Sequence, residues 1–198
     1  MAELRLPADE ATIRELAVGD YVELTGRMIT GRDAAHKWLL ESFREEVAPF
    51  LQGTAIYQCG PVVRKNDDGS YDFVAAGPTT SIREEPYEAD VIRQYGLRGV
   101  IGKGGMGPKT LDALGRYGAV YLHAVGGAAQ VLAAAVKKVE RVFMLEEFGV
   151  PEAMWVIEVE RFPVMVTMDS HGGTLHEEVE RESRERLARL LGMEMGRV

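Results

Sequence analysis

Short apolar runs alternate with amphipathic stretches along most of this chain. The apolar runs have the length and residue types of strands, and the amphipathic stretches carry apolar residues at helical spacing. This pattern predicts strands at 21–31 with a bend at Gly26, and at 54–63, 71–78, 97–102, 119–125, 141–145, 154–160 and 163–169. It predicts helices at 9–17, between Asp33 and Pro49, and at 86–95, 108–117, 127–139 and 175–192. Such an order favours an α/β fold, a mixed sheet with helices packed on it.

Turn residues and charge pattern indicate a hairpin in the middle of the chain and a separate helical tail. Asp68-Gly69 suits a tight turn, so the strands at 54–63 and 71–78 are predicted to form a hairpin. The tail after 174 carries opposite charges at i,i+4 spacing, which favours an exposed helix: Glu177 with Arg181, Glu180 with Arg184, and Glu185 with Arg189. Its thin apolar stripe predicts docking onto the domain or onto a partner: Leu175, Val179, Leu187 and Leu190. We therefore expect one domain over 1–174 and a helical tail over 175–198.

Composition narrows the classes of function. The chain has 198 residues, 46% of them hydrophobic, which is ordinary for a globular protein with a substantial core. A net charge of -8 and a pI near 5.1 argue against nucleic acid or an anionic membrane as partners. The sequence lacks the apolar run of a signal peptide or a membrane span, so we expect a cytoplasmic protein. The single cysteine, Cys59, excludes an internal disulfide and cannot alone hold an iron–sulfur cluster or a zinc ion.

Three glycine-rich segments stand where a predicted strand gives way to a helix: 31–37, 76–84 and 102–107. Such junctions leave backbone N–H groups unpaired and are suited to hold anions. Each segment also carries one full positive charge, on Arg32, Arg83 or Lys103. Together they predict a pocket for a small molecule with more than one carboxylate or phosphate.

The first two segments add polar groups to these cations. His36 follows Arg32 by one helical turn, so it is either an acid or base near neutral pH or a residue that orients its neighbour. In the second segment the hydroxyls of Thr79, Thr80 and Ser81 precede Arg83, whose planar fork matches a carboxylate. The alternative is that Thr80 or Ser81 caps the next helix while Arg83 pairs with one of the nearby glutamates, Glu84, Glu85 or Glu88.

The third segment satisfies the dinucleotide-binding pattern G-x-G-x-x-G through Gly102, Gly104 and Gly107. That motif also needs an acidic residue at the end of the next strand, and no Asp or Glu lies between Asp112 and Glu140. We therefore disfavour a nucleotide. The loop instead predicts that Lys103 and the helix N-terminus beside it bind one carboxylate, unless the glycines only make a tight turn with Lys103 in solvent. The remaining histidines do not have the spacing of a metal site: His123, His171 and His176.

Taken in order, seven motifs resemble one family: VGDYVELTG, GRDAAHK, GPVVRK, GPTTSIR, GKGGMG, FGVPEAMW and MDSHG. The family is the beta subunit of two-subunit class I fumarate hydratase, related to the beta subunit of L(+)-tartrate dehydratase and to the C-terminal domain of single-chain class I fumarases. The resemblance covers nearly the whole chain. It implies a swivelling β/β/α fold and a hydro-lyase that interconverts (S)-malate and fumarate plus water. It also implies a hetero-oligomer with an alpha subunit that carries a 4Fe-4S cluster on its own cysteines. A homodimer of the isolated chain is the alternative assembly.

The resemblance also assigns roles to residues already selected by charge and position. Substrate binding falls on Arg32, Thr79, Arg83 and Lys103, with Thr79 as the candidate for proton transfer. We include Lys103 and His36 among the candidate catalytic residues. Their neighbours Thr80, Ser81 and Gly104 are included among the candidate binding residues. Glu84 and Glu85 depart from the family, in which methionine and then a polar or acidic residue often follow the arginine. A tartrate dehydratase subunit and a non-catalytic small-anion-binding or assembly module are the alternative functions.

Overall fold

A computed structural model of the chain describes residues 2–191. Its strands are β1 (Ala2–Leu6), β2 (Tyr21–Thr30), β3 (Ala55–Tyr57), β4 (Val62–Lys65), β5 (Tyr71–Ala75), β6 (Gly99–Gly102), β7 (Val120–His123), β8 (Val136–Phe143) and β9 (Met154–Met168). Its helices are α1 (Glu10–Arg14), α2 (Asp33–Glu41), α3 (Ala48–Leu51), α4 (Glu88–Tyr95), α5 (Pro108–Tyr117), α6 (Ala129–Ala135), α7 (Leu145–Phe148) and α8 (Leu175–Leu191). A 3₁₀ turn spans Ser81–Glu84. The predicted α/β class is confirmed.

Seven strands form one mixed sheet in the order β1-β2-β3-β6-β7-β9-β8, and β4 and β5 form a separate hairpin. Strands β2, β3, β6 and β7 are parallel neighbours. The long strand β9 runs antiparallel to both β7 and β2, so the sheet closes on itself. Because β2, β3, β6 and β7 run parallel, their carboxyl ends lie at one rim of the sheet.

Alternate residues of these strands face two different cores. On β7, for example, Val120 and Leu122 belong to the core enclosed by the strands, with Trp155 and Phe162 of β9. Tyr121 points the other way, into the core between the sheet and the helices α2 to α5. Because the central strands are covered on both faces, they read in sequence as continuous apolar runs.

Several boundaries differ from the predicted ones. The run at 54–63 is two strands, because only 55–57 joins the main sheet while 62–65 pairs with β5. The alanine-rich helix ends at Ala135, where the β-branched Val136 begins β8 beside β9. The predicted strands at 154–160 and 163–169 are one strand, because Pro163 is accommodated without ending β9. The predicted bend at Gly26 is confirmed as a register shift in β2 against β9.

The tail is helical from Leu175 to Leu191, as predicted, and an ion pair joins Glu180 and Arg184. Its apolar stripe does not dock along its length, because Val179, Leu187 and Leu190 remain exposed. Residues 192–198 of the predicted tail lie outside the described residues. Within residues 2–191, no helix has both the length and the apolar composition required to cross a lipid bilayer.

Candidate functional site

Polar residues follow three adjacent parallel strands at one rim of the sheet. Arg32 comes two residues after β2, Gln58 directly after β3, and Lys103 directly after β6. Ligands of α/β proteins, whether the sheet is open or closed, bind outside the carboxyl ends of the parallel strands, where loops and helix N-termini meet. We call this rim, with Arg32, Thr79, Arg83 and Lys103, the cationic edge.

The segment 79–81 is hydrogen-bonded between two of these strand ends. The Thr79 amide and Oγ1 both donate to the Gln58 carbonyl, each at 2.8 Å. On the other side, the Lys103 amide donates to the Thr79 carbonyl and the Ser81 amide donates to the Lys103 carbonyl. The sequence segments that carry Thr79 and Lys103 are therefore fixed against each other by backbone bonds.

The Arg32 side chain is 22% exposed at this rim. It packs on Gly60, where any side chain would collide with the guanidinium. Its Nη2 lies 3.3 Å from Glu152 Oε1, and the other oxygen of Glu152 accepts from the Ala34 amide in the first turn of α2. Glu152 thus orients both the arginine and the helix that follows it.

Arg83 joins the second segment to the first. Its Nη2 lies 3.0 Å from Asp33 Oδ2, and both side chains are about half exposed. The alternative pairing of Arg83 with Glu84, Glu85 or Glu88 is not seen, nor does a side chain cap the 3₁₀ turn from Thr80. Because Asp33 follows Arg32, this ion pair brings the two arginine-bearing segments together.

Lys103 completes the cationic edge. Its aliphatic stem passes over Gly126 in the loop after β7. No carboxylate within residues 2–191 lies at ion-pair distance from its amine. Gly104 follows with a positive φ of 86° and open space around it. This side chain is therefore the cation of the edge with no carboxylate held against it in the described part of the chain.

The N-terminus of α5 is occupied by a carboxylate of the chain itself. Glu85 accepts hydrogen bonds from the amides of Gly107 (2.8 Å), Lys109 (2.9 Å) and Thr110 (3.3 Å), and from the Thr110 hydroxyl (2.6 Å). We call this arrangement the Glu85 clamp. In this structure Glu85 therefore occupies the helix amides at which we predicted a ligand carboxylate and at which a dinucleotide pyrophosphate would sit.

A buried acid cluster of His36, Gln58, Glu84 and Glu88 lies behind the cationic edge, and all four residues are fully buried. Glu88 Oε2 accepts a hydrogen bond from Gln58 Nε2 at 2.7 Å and lies 2.9 Å from His36 Nε2. His36 Nδ1 lies 2.8 Å from the Arg32 carbonyl, which can only accept, so Nδ1 carries a proton. Burial alone would lower the pKa of His36, but the charge and hydrogen bond of Glu88 outweigh it and raise the pKa to about 9.

This geometry makes His36 an imidazolium paired with Glu88, with both ring nitrogens engaged inside the protein. Of the two roles considered for His36, the structure favours orientation of a neighbour, here the backbone of Arg32, over proton exchange with a ligand. Ser81 is similarly internal, because its hydroxyl lies 2.8 Å from the Tyr121 hydroxyl in space that only a glycine at 102 leaves open. Thr80, in contrast, is exposed at the edge.

The chain does not offer the ligands of an iron–sulfur cluster. Cys59 is buried in the core, and burial raises the pKa of its thiol to about 12. A cluster needs several thiolates, so this chain does not fit one. Among residues 2–191, no group of three or more His, Cys, Asp or Glu side chains is placed to hold a metal ion.

Sequence reasoning missed Glu152, Glu88 and Gln58, which support the candidate residues from behind. Glu152 belongs to the motif FGVPEAMW, more than a hundred residues from Arg32, and only the return of β9 beside β2 brings it near. The sequence pattern treats the glutamates after Arg83 alike, as possible partners of that arginine. Their positions around the turn distinguish them, because the 3₁₀ turn directs Glu84 inward and Glu85 toward α5.

Comparison with known proteins gives a consistent result. A Geobacillus stearothermophilus protein provisionally named fumarate hydratase class I is 52% identical over 185 residues, which are 93% of this chain but 35% of that protein. A Methanocaldococcus jannaschii protein provisionally named L(+)-tartrate dehydratase subunit beta is 42% identical, over 91% of this chain and 94% of its own length. The L(+)-tartrate dehydratase subunit beta of Escherichia coli strain K12 is 39% identical, over 87% of this chain and 85% of its own length.

The family described as the fumarase C-terminus matches residues 2–179, a span that includes every residue of the cationic edge, the buried acid cluster and the Glu85 clamp. This match confirms the resemblance drawn from the seven motifs. The chain belongs to the fumarase C-terminus family.

Proposed function

We propose that this chain is the beta subunit of a two-subunit hydro-lyase of the class I fumarate hydratase type, which interconverts (S)-malate and fumarate plus water. The observation that carries the proposal is the meeting of three cation-bearing segments at the carboxyl ends of β2, β3 and β6. A dicarboxylate offers two anionic groups to such a rim. Arginine forks bind carboxylates through paired hydrogen bonds, and a lysine adds a point charge.

In this proposal Arg32, Arg83 and Lys103 hold both carboxylates and fix the carbon atoms between them. Loss of a proton next to a carboxylate builds negative charge on that group, and the same cations stabilise it. Thr79 is the candidate for proton transfer. Its hydroxyl donates its proton to the Gln58 carbonyl, so the oxygen keeps its lone pairs as acceptors. A threonine oxygen is a weak base unless it is activated.

The proposed partner is an alpha subunit that carries a 4Fe-4S cluster, which when bound there would supply a Lewis acid for the departing hydroxyl. One feature of this chain supports a partner at the cationic edge. Ile82 and Val125 are large apolar side chains that are 52% and 62% exposed. Ile82 adjoins Arg83 in sequence, and Val125 precedes Gly126, against which the Lys103 stem lies, so each is next to a cation of the edge. Exposed apolar groups around a polar site are typical of a contact surface.

Anaerobic assembly with a cluster-bearing alpha subunit tests the proposal. We expect fumarate to appear from (S)-malate, and we expect Arg83→Ala to lower kcat/KM by about 100-fold or more, because a charge-stabilising contact is lost. Arg93→Ala is the matched control, since Arg93 is an exposed arginine of α4 paired only with Asp90. Activity of Arg83→Ala within tenfold of wild type would remove Arg83 from the site. Dicarboxylate binding without turnover would favour the anion-binding module.

L(+)-tartrate dehydratase is the second candidate, because two relatives named as its beta subunit are 42% and 39% identical to this chain. Comparing kcat/KM for (S)-malate and L(+)-tartrate in the same assembly decides between them.

A further inference from the structure

Glu84 is a buried ionisable residue that the proposed mechanism does not use. It is fully buried, and neither of its carboxylate oxygens has a hydrogen-bond partner. Burying an ionised carboxylate without partners is far more costly than burying the neutral acid. The environment of Glu84 therefore favours the protonated form.

The charges around Glu84 are already paired with each other. On α2 it faces Asp33 and His36, on α4 Glu88, and in its own turn Arg83. His36 is paired with Glu88, and Arg83 with Asp33. From β7 it faces Tyr121, whose phenol stays neutral because burial raises its pKa. Two cations thus face three carboxylates, and Glu84 is the carboxylate without a counterion.

Burial, aided by the negative charges of Asp33 and Glu88, outweighs the attraction of His36 and Arg83 and raises the pKa of Glu84 to about 7. This value lies in the range where cells hold their pH, so a modest change in the local field alters the protonation of the group. A dianionic ligand at the cationic edge is such a change.

We propose that Glu84 carries a proton in the ligand-free protein and thereby sets the affinity of the cationic edge for dianionic ligands, which it does not itself contact. The inference rests on the proposed function, because it assigns the ligand to that edge. Loss of the proton places a new negative charge beside Arg83 and weakens the hold on a carboxylate. By linkage, a bound dicarboxylate raises the proton affinity of Glu84 by the same factor.

The first test needs no ligand. The side-chain carboxyl carbons of glutamate are labelled with carbon-13 in the full chain and followed by NMR as the pH is raised. We expect one resonance, absent from Glu84→Gln, to titrate near neutral pH. If the resonance assigned to Glu84 instead titrates near the ordinary pKa of a glutamate, about 4.3, the inference is overturned while the proposed function stands.

The second test measures fumarate binding by calorimetry, in the full chain assembled with its alpha subunit. Between about pH 6 and about pH 9 we expect affinity to fall about tenfold in wild type through Glu84, the size of one partly screened charge interaction. Glu84→Gln and Glu84→Met should lack this fall in affinity. Glu182→Gln, which changes an exposed residue of α8, should keep it. The charge of Glu84 also helps to raise the pKa of His36, so the fall in affinity that wild type and Glu182→Gln share and both Glu84 variants lack is assigned to Glu84 together with its effect on His36. Equal pH dependence in wild type and both Glu84 variants overturns the inference, and no fumarate binding at any pH overturns it together with the proposed function.

Discussion

Glu84 and Glu85 are consecutive residues, yet they belong to regions with opposite electrostatics. In the Glu85 clamp a carboxylate accepts four hydrogen bonds from the start of α5. In the buried acid cluster the carboxyl of Glu84 accepts none. A helix N-terminus stabilises negative charge, whereas an apolar interior penalises it. A step of one residue along the turn therefore changes the effect of a glutamate on Arg83. Glu85 fixes the position of the turn through its hydrogen bonds to α5, whereas Glu84 alters the electrostatic field at the arginine.

The largest effect should come from breaking the paired half of the buried acid cluster. Glu88→Ala removes the partner of His36 and of Gln58 together. Removing one member of a buried ion pair strands the other, so we expect the free energy of unfolding to fall by about 3–5 kcal/mol. The loss of stability is measured by urea unfolding. The control is Asp90→Ala, two residues after Glu88 on α4, which breaks the exposed ion pair with Arg93 and should cost under about 0.5 kcal/mol.

The loss in Glu88→Ala should also depend on pH. The folded-state pKa of His36 is raised to about 9, above its ordinary value near 6.5. Its contribution to stability is therefore fully present below about pH 6.5 and is lost as the pH rises through about 9. The gap between wild type and Glu88→Ala should be widest in mildly acidic solution and narrow in alkaline solution. A gap that widens as the pH rises would show that His36 is neutral in the native protein.

An intermediate effect is expected from the clamp. Glu85→Ala removes an anionic cap that serves three amides and one hydroxyl, so we expect a loss of about 2–3 kcal/mol in urea unfolding. Asp9→Ala is the matched control, because Asp9 caps α1 through the single Thr12 amide and should therefore cost less stability than Glu85→Ala. Because the clamp ties the turn of Arg83 to the loop of Lys103, Glu85→Ala should also weaken fumarate binding, and Asp9→Ala should not. Equal losses in stability would mean that the extra bonds of Glu85 contribute nothing.

Much of the fold was predictable because most of its strands and helices are encoded in local sequence. The hydrophobic pattern identifies β2, β6, β7 and α5, and Gly26 identifies the bulge. The errors occur where tertiary pairing overrides local pattern. Strand β1 follows the first methionine and is stabilised by pairing with β2, and Val136 leaves the helix because β9 offers it a partner strand.

The cations of the candidate site could be selected from the sequence, but the carboxylates that position them could not. Arg32, Arg83 and Lys103 are visible because glycine-rich junctions mark the ends of strands, and a full charge there has few structural uses. The distribution of carboxylates was not visible. Whether Glu85 caps α5 or Glu152 holds Arg32 depends on contacts between residues 22 and 120 positions apart, which no local pattern contains.

The smallest effect on stability should come from Asp33, where the two arginine-bearing segments meet. Asp33→Asn breaks a half-exposed ion pair with Arg83, so we expect a change in unfolding free energy of under about 1 kcal/mol. A ligand carboxylate competes with Asp33 for Arg83. We therefore expect fumarate affinity to rise about threefold, the size of one exposed ion pair, while Asp112→Asn, which frees the exposed Arg116 of α5, leaves it unchanged. Weaker binding in Asp33→Asn would mean that Asp33 holds Arg83 in the orientation that the ligand needs, so that Asp33 supplies geometry to the edge, as Glu85 does, and does not compete with the ligand.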